Sequence, residues 1–215
     1  MNVRGVLWDL DGTLVDSEPL HDRATRQTLE SAGVRAPESV LGLTTGLDAT
    51  AVHKYFVERL GLNLDFNTWV ERKHKFYVKE SHRLGSRRGA IELYRDLATR
   101  GIPQAIVSNS DRILVNANLR AIGLESAGMI SVSRNDVRDG KPAPEPYVRA
   151  AWLLGQDPHA LAAVEDSAIG VLASLRAGVQ TYFWPESCTA SIEGATLVLS
   201  SNHLRSHFAA NDLIG

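Results

Sequence analysis

The residues best suited to chemistry lie in the segment DLDGTLVDSE, which runs from Asp9 to Glu18. Asp9 and Asp11 are separated by one residue and follow an apolar run, Val3 to Trp8, whose composition predicts a buried strand. At the end of a strand in a parallel sheet, both carboxylates would project into the cleft where such folds bind ligands. That arrangement suits a hard metal ion and a phosphate.

A second motif, VSNS at 107–110, places polar residues directly after the apolar run 105–107. The next helix is predicted to begin near Asp111, so the Ser108 hydroxyl and the backbone amides around Asn109 would point together at an anion. The same run of Ser, Asn and Asp would also cap an ordinary helix. The segment by itself therefore leaves both interpretations open.

Two later segments supply opposite charges. Lys141 lies in GKPAPEPY, whose three prolines stiffen the loop, and a lysine held there can neutralise phosphoryl oxygens and keep Asp9 ionised. Glu165 and Asp166 end another short apolar strand, at 162–164. We expect Asp166 to bind Mg²⁺ directly and Glu165 to bind it directly or through water, because Mg²⁺ takes one or two carboxylates plus waters and substrate oxygens.

The elements that position these residues are predicted from hydrophobic patterning. After residue 89 the chain alternates helices with short apolar strands, which favours a parallel sheet with crossover helices. The predicted helices are 91–99, 112–122, 146–154 and 168–176, and the predicted strands are 105–107, 129–132, 162–164, 181–183 and 196–199.

The stretch from residue 17 to about 85 differs, because apolar positions such as Val52, Phe56 and Leu60 recur at helical spacing and no strand is indicated. The first strand needs the later strands as neighbours. The sequence therefore predicts a discontinuous core, residues 1–16 and 86–215, interrupted by a helical domain at 17–85.

Four motifs occur in a fixed order: DLDGTLVDSE, VSNS, GKPAPEPY and VEDS. With these motifs the chain resembles the haloacid dehalogenase-like hydrolases, in particular the phosphatases and mutases related to beta-phosphoglucomutase. The resemblance covers essentially the whole chain. It implies an α/β fold, a Rossmann-like doubly wound parallel sheet core with an inserted all-helical cap domain, and it implies a phosphoric monoester hydrolase.

The chemistry expected of such a site assigns roles to the motif residues. Asp9 would attack phosphorus and form an aspartyl phosphate, and Asp11 would serve as acid and then as base. The resemblance implies that the backbone carbonyl of Asp11 binds the metal and that Ser108 binds phosphate. The complete prediction is phosphate binding by Ser108, Asn109 and Lys141, and Mg²⁺ binding by Asp9, Asp11, Glu165 and Asp166.

The predicted cap offers weaker signals for substrate choice. His21 matches a histidine that helps to organise catalysis in the phosphoglucomutase branch, although an exposed helix histidine is an equally good interpretation. Residues 41–52, LGLTTGLDATAV, resemble the substrate-specificity loop of the group. The mutases carry a basic residue in this region, but the stretch from Ser39 to His53 has no Lys or Arg, so mutase activity is disfavoured unless Lys73, Lys75 or Arg87 replaces it.

The composition narrows the functional class. The chain has 215 residues, 44% hydrophobic and 22% charged, with a formal charge of −2, so it is typical of a soluble globular protein and has no basic stripe for nucleic acid. A strand predicted at the very start leaves no space for a signal peptide, and no stretch reaches the length of a membrane span, so we expect a cytoplasmic protein. The single cysteine, Cys188, excludes an intrachain disulfide.

The leading prediction is a Mg²⁺-dependent phosphatase that acts as a monomer on a small phosphomonoester, a sugar or polyol phosphate. A phosphosugar mutase is the nearest alternative, since it shares all four motifs. A dehalogenase does not need the second acidic residue of the DxD pair. A noncatalytic phosphometabolite-binding protein would not need a nucleophile beside an acid, and fold alone does not decide between these functions.

Overall fold

The structure, a computed structural model, describes residues 3–37, 49–187, 191–211 and 213. The chain divides into two compact units, one formed by Met1–Asp16 with Gly85–Gly215 and the other by Ser17–Leu84. The second boundary lies one residue earlier than the sequence predicts. Residues 41–48 of the predicted specificity loop, and Cys188, lie outside the described residues.

The first unit contains a six-stranded sheet in which every pair of neighbouring strands is parallel. The strand order is β3-β2-β1-β4-β5-β6, which is the doubly wound arrangement that the alternating pattern predicts. The strands are β1 Gly5–Trp8, β2 Gln104–Val107, β3 Ile130–Val132, β4 Leu161–Glu165, β5 Gln180–Phe183 and β6 Thr196–Leu197. The fold class is thereby confirmed.

The central position of β1 determines where the motifs meet. Its last residue, Trp8, pairs with Ile106 of β2 on one side and with Val164 of β4 on the other. The chain first builds outward through β2 and β3 and then crosses to the opposite side of β1. In doubly wound sheets this switch opens a crevice at the carboxyl ends of the strands. The residues that follow β1, β2 and β4 therefore share one edge.

The sheet is held by burial of short apolar strands. All four residues of β1 and all five of β4 are buried, as expected for strands covered on both faces. Leu7, Val107 and Ala163 belong to a core cluster that also includes Tyr147. The helices of this unit are α4 Ala90–Thr99, α5 Arg112–Ala121, α6 Glu145–Leu153, α7 Ala168–Arg176 and α8 Ser201–Ala210.

The C-terminal region differs from the prediction. The strand expected at 196–199 is only Thr196–Leu197, and α8, which was not predicted, begins four residues later at Ser201. Its cap explains the boundary: the Ser200 side chain accepts a hydrogen bond from the backbone N–H of His203 at 3.1 Å. Leu204 and Phe208 form the buried face of α8.

The described part of the second unit contains helices and no strand. It consists of α1 Glu18–Ser31, α2 Ala49–Leu60, α3 Phe66–Glu80 and a short 3₁₀ turn, Ser81–Arg83. Leu29, Phe56 and Trp69 are buried in its own hydrophobic cluster. Within the described residues, no helix of either unit is both long enough and apolar enough to cross a membrane.

Candidate active site

A buried lysine joins two carboxylates at the carboxyl edge of the sheet. Lys141 Nζ lies 2.6 Å from Asp9 Oδ1 and 2.5 Å from Glu165 Oε1, and it donates a third hydrogen bond to the carbonyl oxygen of Val107 at 2.9 Å. Only 3% of the Lys141 side chain is exposed. The ends of β1, β2 and β4 are thus tied together by one cation.

The loop that carries Lys141 is fastened to the segment after β2 by Asn109. The Asn109 side chain accepts a hydrogen bond from the Lys141 N–H at 2.8 Å and donates one to the Lys141 carbonyl at 3.0 Å. Since this amide is used to hold the lysine loop, the predicted anion contact of Asn109 rests on its backbone N–H.

Glu165 is fully buried and accepts hydrogen bonds through both of its carboxylate oxygens. Its Oε1 accepts hydrogen bonds from Lys141 and from the Tyr147 hydroxyl, and its Oε2 accepts one from the Ser167 hydroxyl at 3.3 Å. Burial, followed by the Glu165 charge, raises the pKa of Tyr147 well above its usual value, so the phenol stays a donor. Sequence reasoning missed Tyr147, whose only signal was its place in GKPAPEPY.

The space for Glu165 depends on Gly170 in the first turn of α7. A Cβ added at Gly170 would lie 1.9 Å from Glu165 Oε2 and 2.2 Å from its Oε1. Because Glu165 is held by Lys141 and Tyr147, it has no free direction in which to move. Glycine at this position is therefore a requirement of the buried carboxylate.

Gly170→Ala is expected to lower the free energy of unfolding by about 1–3 kcal/mol or more, because overpacking of a buried site costs that much. The measurement is urea unfolding beside a control, Gly85→Ala, where an added Cβ meets nothing within 4 Å and the backbone is not left-handed. The control should be neutral or slightly stabilising. Equal stability of the two variants would contradict this account of Gly170.

The charges of the cluster do not balance. Burial, and then the Glu165 charge, raise the pKa of Asp9 well above its usual value despite the opposing effect of Lys141. Burial and Glu165 likewise raise the pKa of Asp166 to about 7. Burial would lower the pKa of Lys141, but Asp9 and Glu165 outweigh it and raise that pKa. Three carboxylates thus compete for one lysine, so the site favours an additional cation.

The arrangement of the oxygens fits a divalent metal. Asp9, Glu165 and Asp166 each place a carboxylate oxygen within 4.8 Å of the others. Asp9 Oδ2 is buried and has no hydrogen-bond partner in the described part of the chain. Gly12, with φ +79°, lets the backbone pass close to Asp166, since a Cβ there would lie 2.0 Å from Asp166 Oδ2. Carboxylate oxygens are the ligands that hard cations such as Mg²⁺ prefer.

Asp166→Asn is expected to stabilise the metal-free protein at pH 8. A carboxyl whose pKa is raised on folding binds its proton more tightly in the folded state, so its contribution to stability falls as pH rises from about 4 to about 7. The gain should be on the order of 1–4 kcal/mol at pH 8 and vanish near pH 4. Thermal unfolding in EDTA at both pH values tests this, and a gain that is independent of pH would contradict it.

Asp11 is held by three side-chain donors from the segment that begins after β2. Ser108 Oγ and Ser110 Oγ donate to its Oδ2 at 3.0 and 2.8 Å, and Asn118 Nδ2 donates to its Oδ1 at 2.8 Å. Ser108, a predicted phosphate ligand, therefore also orients the predicted acid and base. Sequence reasoning missed Ser110 and Asn118. The available signal was a polar residue, Asn118, on the buried face of α5.

Two further residues considered in the sequence analysis are Arg87 and His21. Arg87 donates hydrogen bonds to the carbonyl oxygens of Gly12, Trp184 and Pro185, and its guanidinium stacks on the Trp184 ring at 4.1 Å. Its donors thereby join loops, and its charge opposes the rise in the pKa of Asp166. His21 belongs to the helical unit, where its ring centroid lies 4.5 Å from that of Tyr77. Its role in catalysis stays a prediction.

A doubly wound sheet with a lysine and three carboxylates at its switch point is suited to binding an anion and a cation. The sequence matches the family model described as a haloacid dehalogenase-like hydrolase over residues 3–178. The chain belongs to the haloacid dehalogenase-like hydrolase family. This membership confirms the resemblance and the prediction that the protein is a hydrolase.

Individual relatives agree with the family match. The chain is 35% identical to hexitol phosphatase A of Escherichia coli over 178 residues, 83% of this chain and 81% of the relative. It is 26% identical to a phosphorylated carbohydrates phosphatase of Thermotoga maritima over 182 residues, 84% of each chain. The crystal structure of CbbY from Rhodobacter sphaeroides in complex with phosphate is similar with a TM-score of 0.81 and 25% identity, covering 92% of this chain and 93% of that one.

Proposed function

We propose that the protein is a Mg²⁺-dependent phosphatase that hydrolyses small phosphomonoesters, with sugar or polyol phosphates as its substrate class. The observation that carries the proposal is the environment of the buried Asp9 carboxylate. Its Oδ1 accepts a hydrogen bond from Lys141, and its Oδ2 has no hydrogen-bond partner among the described residues. The carboxylates of Glu165 and Asp166 lie beside it. Relatives named for hexitol and carbohydrate phosphates support the substrate class.

Asp9 is the proposed nucleophile. Its carboxylate attacks phosphorus, the bond from phosphorus to the substrate oxygen breaks, and an aspartyl phosphate forms. Burial opposes the ionised form that attack requires. Lys141, at 2.6 Å, counters that effect and offers its charge to the phosphoryl oxygens, as Ser108 offers its hydroxyl.

Asp11 is the proposed acid and base. In the first step it gives a proton to the departing oxygen of the substrate, and in the second it takes a proton from the water that attacks phosphorus and releases phosphate. The hydrogen bonds from Ser110 and Asn118 fix the direction of its carboxylate. We assign the helical unit, residues 17–84, as the cap that excludes water and selects the leaving group.

Asp9, Glu165 and Asp166, with the backbone carbonyl of Asp11, are the proposed Mg²⁺ ligands. The bound ion supplies charge stabilisation to the phosphoryl oxygens. The carboxylates give the site its affinity for the ion, because burial and the Glu165 charge both disfavour ionised Asp166 and raise its pKa, and a bound cation offsets both effects.

Hydrolysis is preferred to phosphosugar transfer. A mutase must hold a second phosphate, yet residues 39–53 contain no Lys or Arg and the Arg87 guanidinium is engaged by three backbone carbonyls. The relatives described above that are named for a reaction are phosphatases.

Phosphate release from a panel of sugar, polyol and nucleotide monophosphates tests the proposal. With Mg²⁺, we expect turnover to be highest for hexitol and hexose phosphates, and we expect EDTA to abolish it and added Mg²⁺ to restore it. Release that is unaffected by EDTA would contradict the role of the metal. Isomerisation of a hexose phosphate that needs a bisphosphate primer, without net phosphate release, would favour the mutase.

A further inference from the structure

Helix α8 carries two histidines one helical turn apart, His203 and His207. Their Nε2 atoms lie 3.2 Å from each other, and the ring centroids are 4.9 Å apart. Both rings are therefore turned toward one point. Two histidines at positions i and i+4 on one helix face are a recurring zinc-binding arrangement. Neither residue takes part in the proposed reaction.

The separation of the two nitrogens matches a tetrahedral metal. Zinc binds histidine nitrogen at about 2.0–2.1 Å with tetrahedral geometry, which places two nitrogen ligands about 3.3 Å apart. Ligands at right angles, as in an octahedral site, would be only about 2.9 Å apart at the same bond length. The observed 3.2 Å is closer to the tetrahedral distance.

The rings are held in position before any metal arrives. The His207 ring packs against the Tyr182 ring, with centroids 5.4 Å apart, and the His203 backbone N–H is bonded to the Ser200 cap. Arg205, between the two histidines on the same helix, directs its charge to Asp96 at 2.5 Å. The two rings therefore need little reorganisation to bind a metal. The neighbouring Arg205 cation is already paired with Asp96.

The protons of the pair are consistent with metal binding. One Nε2 proton joins the two rings in the metal-free protein and would be released on binding. His203 Nδ1 also accepts a bond from the Leu199 N–H, but at 3.4 Å this bond is long and weak.

We infer that His203 and His207 form a surface Zn²⁺ site on α8, in which the two imidazole nitrogens supply the protein ligands and water completes the coordination. Imidazole is a ligand that suits zinc, whereas Mg²⁺ prefers oxygen, so the two metals would partition between this site and the carboxylate cluster. Zn²⁺ bound across one turn of α8 would stabilise the folded chain by mass action.

Calorimetric titration of untagged protein with Zn²⁺, in the presence of excess Mg²⁺, tests the inference. His203→Gln and His207→Gln should each weaken one Zn²⁺ binding event by about 10-fold or more, since the loss of even an outer-shell partner costs that much. His82→Gln, which removes an exposed histidine of the helical unit, is the matched control and should bind as wild type does. Asp166→Asn should also retain the event, because it alters only the carboxylate cluster.

Two further readouts make the result independent of variant folding. In the wild-type protein, Zn²⁺ should shift the ¹⁵N signals of both imidazoles together, and it should raise Tm by about 3–6 °C at a free concentration ten times the dissociation constant. Unchanged affinity in both glutamine variants, loss of the event in Asp166→Asn, or no Zn²⁺ binding by the wild type would each overturn the inference.

Discussion

Asp9→Asn is expected to reduce the rate of phosphate release by at least about 10³-fold, because the amide cannot form the aspartyl phosphate. The loss should appear in kcat for every substrate that the wild type hydrolyses, since all of them pass through the same phosphorylated carboxylate. The measurement is phosphate release with saturating Mg²⁺, together with a search for covalently bound phosphate by intact mass.

The matched control is Asp16→Asn, which alters an exposed carboxylate of the same motif. It should retain wild-type turnover within about a factor of two, since surface substitutions usually have small effects. A circular dichroism melt separates loss of chemistry from loss of fold. Wild-type turnover by Asp9→Asn would defeat the assignment of the nucleophile, whatever the substrate.

Lys141→Met is expected to impair both stability and turnover. The substitution keeps the length of the side chain but leaves Asp9 and Glu165 buried without their shared cation. Removal of one partner from a buried ion pair costs about 3–5 kcal/mol, so a decrease of that size is expected in the free energy of unfolding at pH 8. Loss of charge stabilisation at phosphorus should lower kcat by about 10²–10³-fold.

The stability deficit of Lys141→Met should depend on pH with a definite sign. Asp9 and Glu165 raise the pKa of Lys141, so the stability contributed by the Lys141 proton is fully present below about pH 10 and is lost as pH rises through the raised pKa; it is therefore unchanged by Lys141 titration between pH 5 and pH 8. In Lys141→Met, the repulsion between the buried Asp9 and Glu165 carboxylates is relieved only when one of them is protonated. The difference from wild type should therefore shrink as pH falls from 8 to 5.

Urea unfolding in EDTA at pH 5 and pH 8 checks this prediction. Lys79→Met, which removes an exposed lysine of α3, is the control and should differ from wild type by no more than about 0.5 kcal/mol at either pH. A deficit in Lys141→Met that is absent, or that grows toward acid pH, would show that Lys141 does not stabilise the carboxylates.

The local patterns of the sequence predicted most of the sheet. Helices and strands alternate after residue 89, and the structure places the predicted elements there with boundaries that differ by a few residues. Helix α8 was missed because its buried face has only Leu204 and Phe208, too few apolar positions to give a clear period. The predicted strand at 196–199 is longer than the observed one, because apolar residues continue after the hydrogen-bonded pairing with β5 ends at Leu197.

The residue types of the candidate site could be predicted from the sequence, but the hydrogen bonds between these residues could not. DLDGT, VSNS and VEDS end apolar strands, and such ends meet at one edge of a parallel sheet. The hydrogen-bond partners of Asp11 could not be predicted from local sequence patterns. Asn118 is 107 residues away in the chain, and it lies within helix α5 and not at a strand end. Tyr147 was hidden for the same reason, since its hydroxyl is directed at Glu165 only after α6 packs on the sheet.

The sequence by itself determined the chemistry that is possible, namely a nucleophilic carboxylate with a second acid, a lysine, and acidic ligands for a cation, together with an α/β fold interrupted by helices. Tertiary structure decided that Lys141 bridges Asp9 and Glu165 and that Ser108 and Asn118 reach Asp11. Residue type and local periodicity fix strands and helices, whereas contacts between distant residues exist only after the sheet order and helix packing place them.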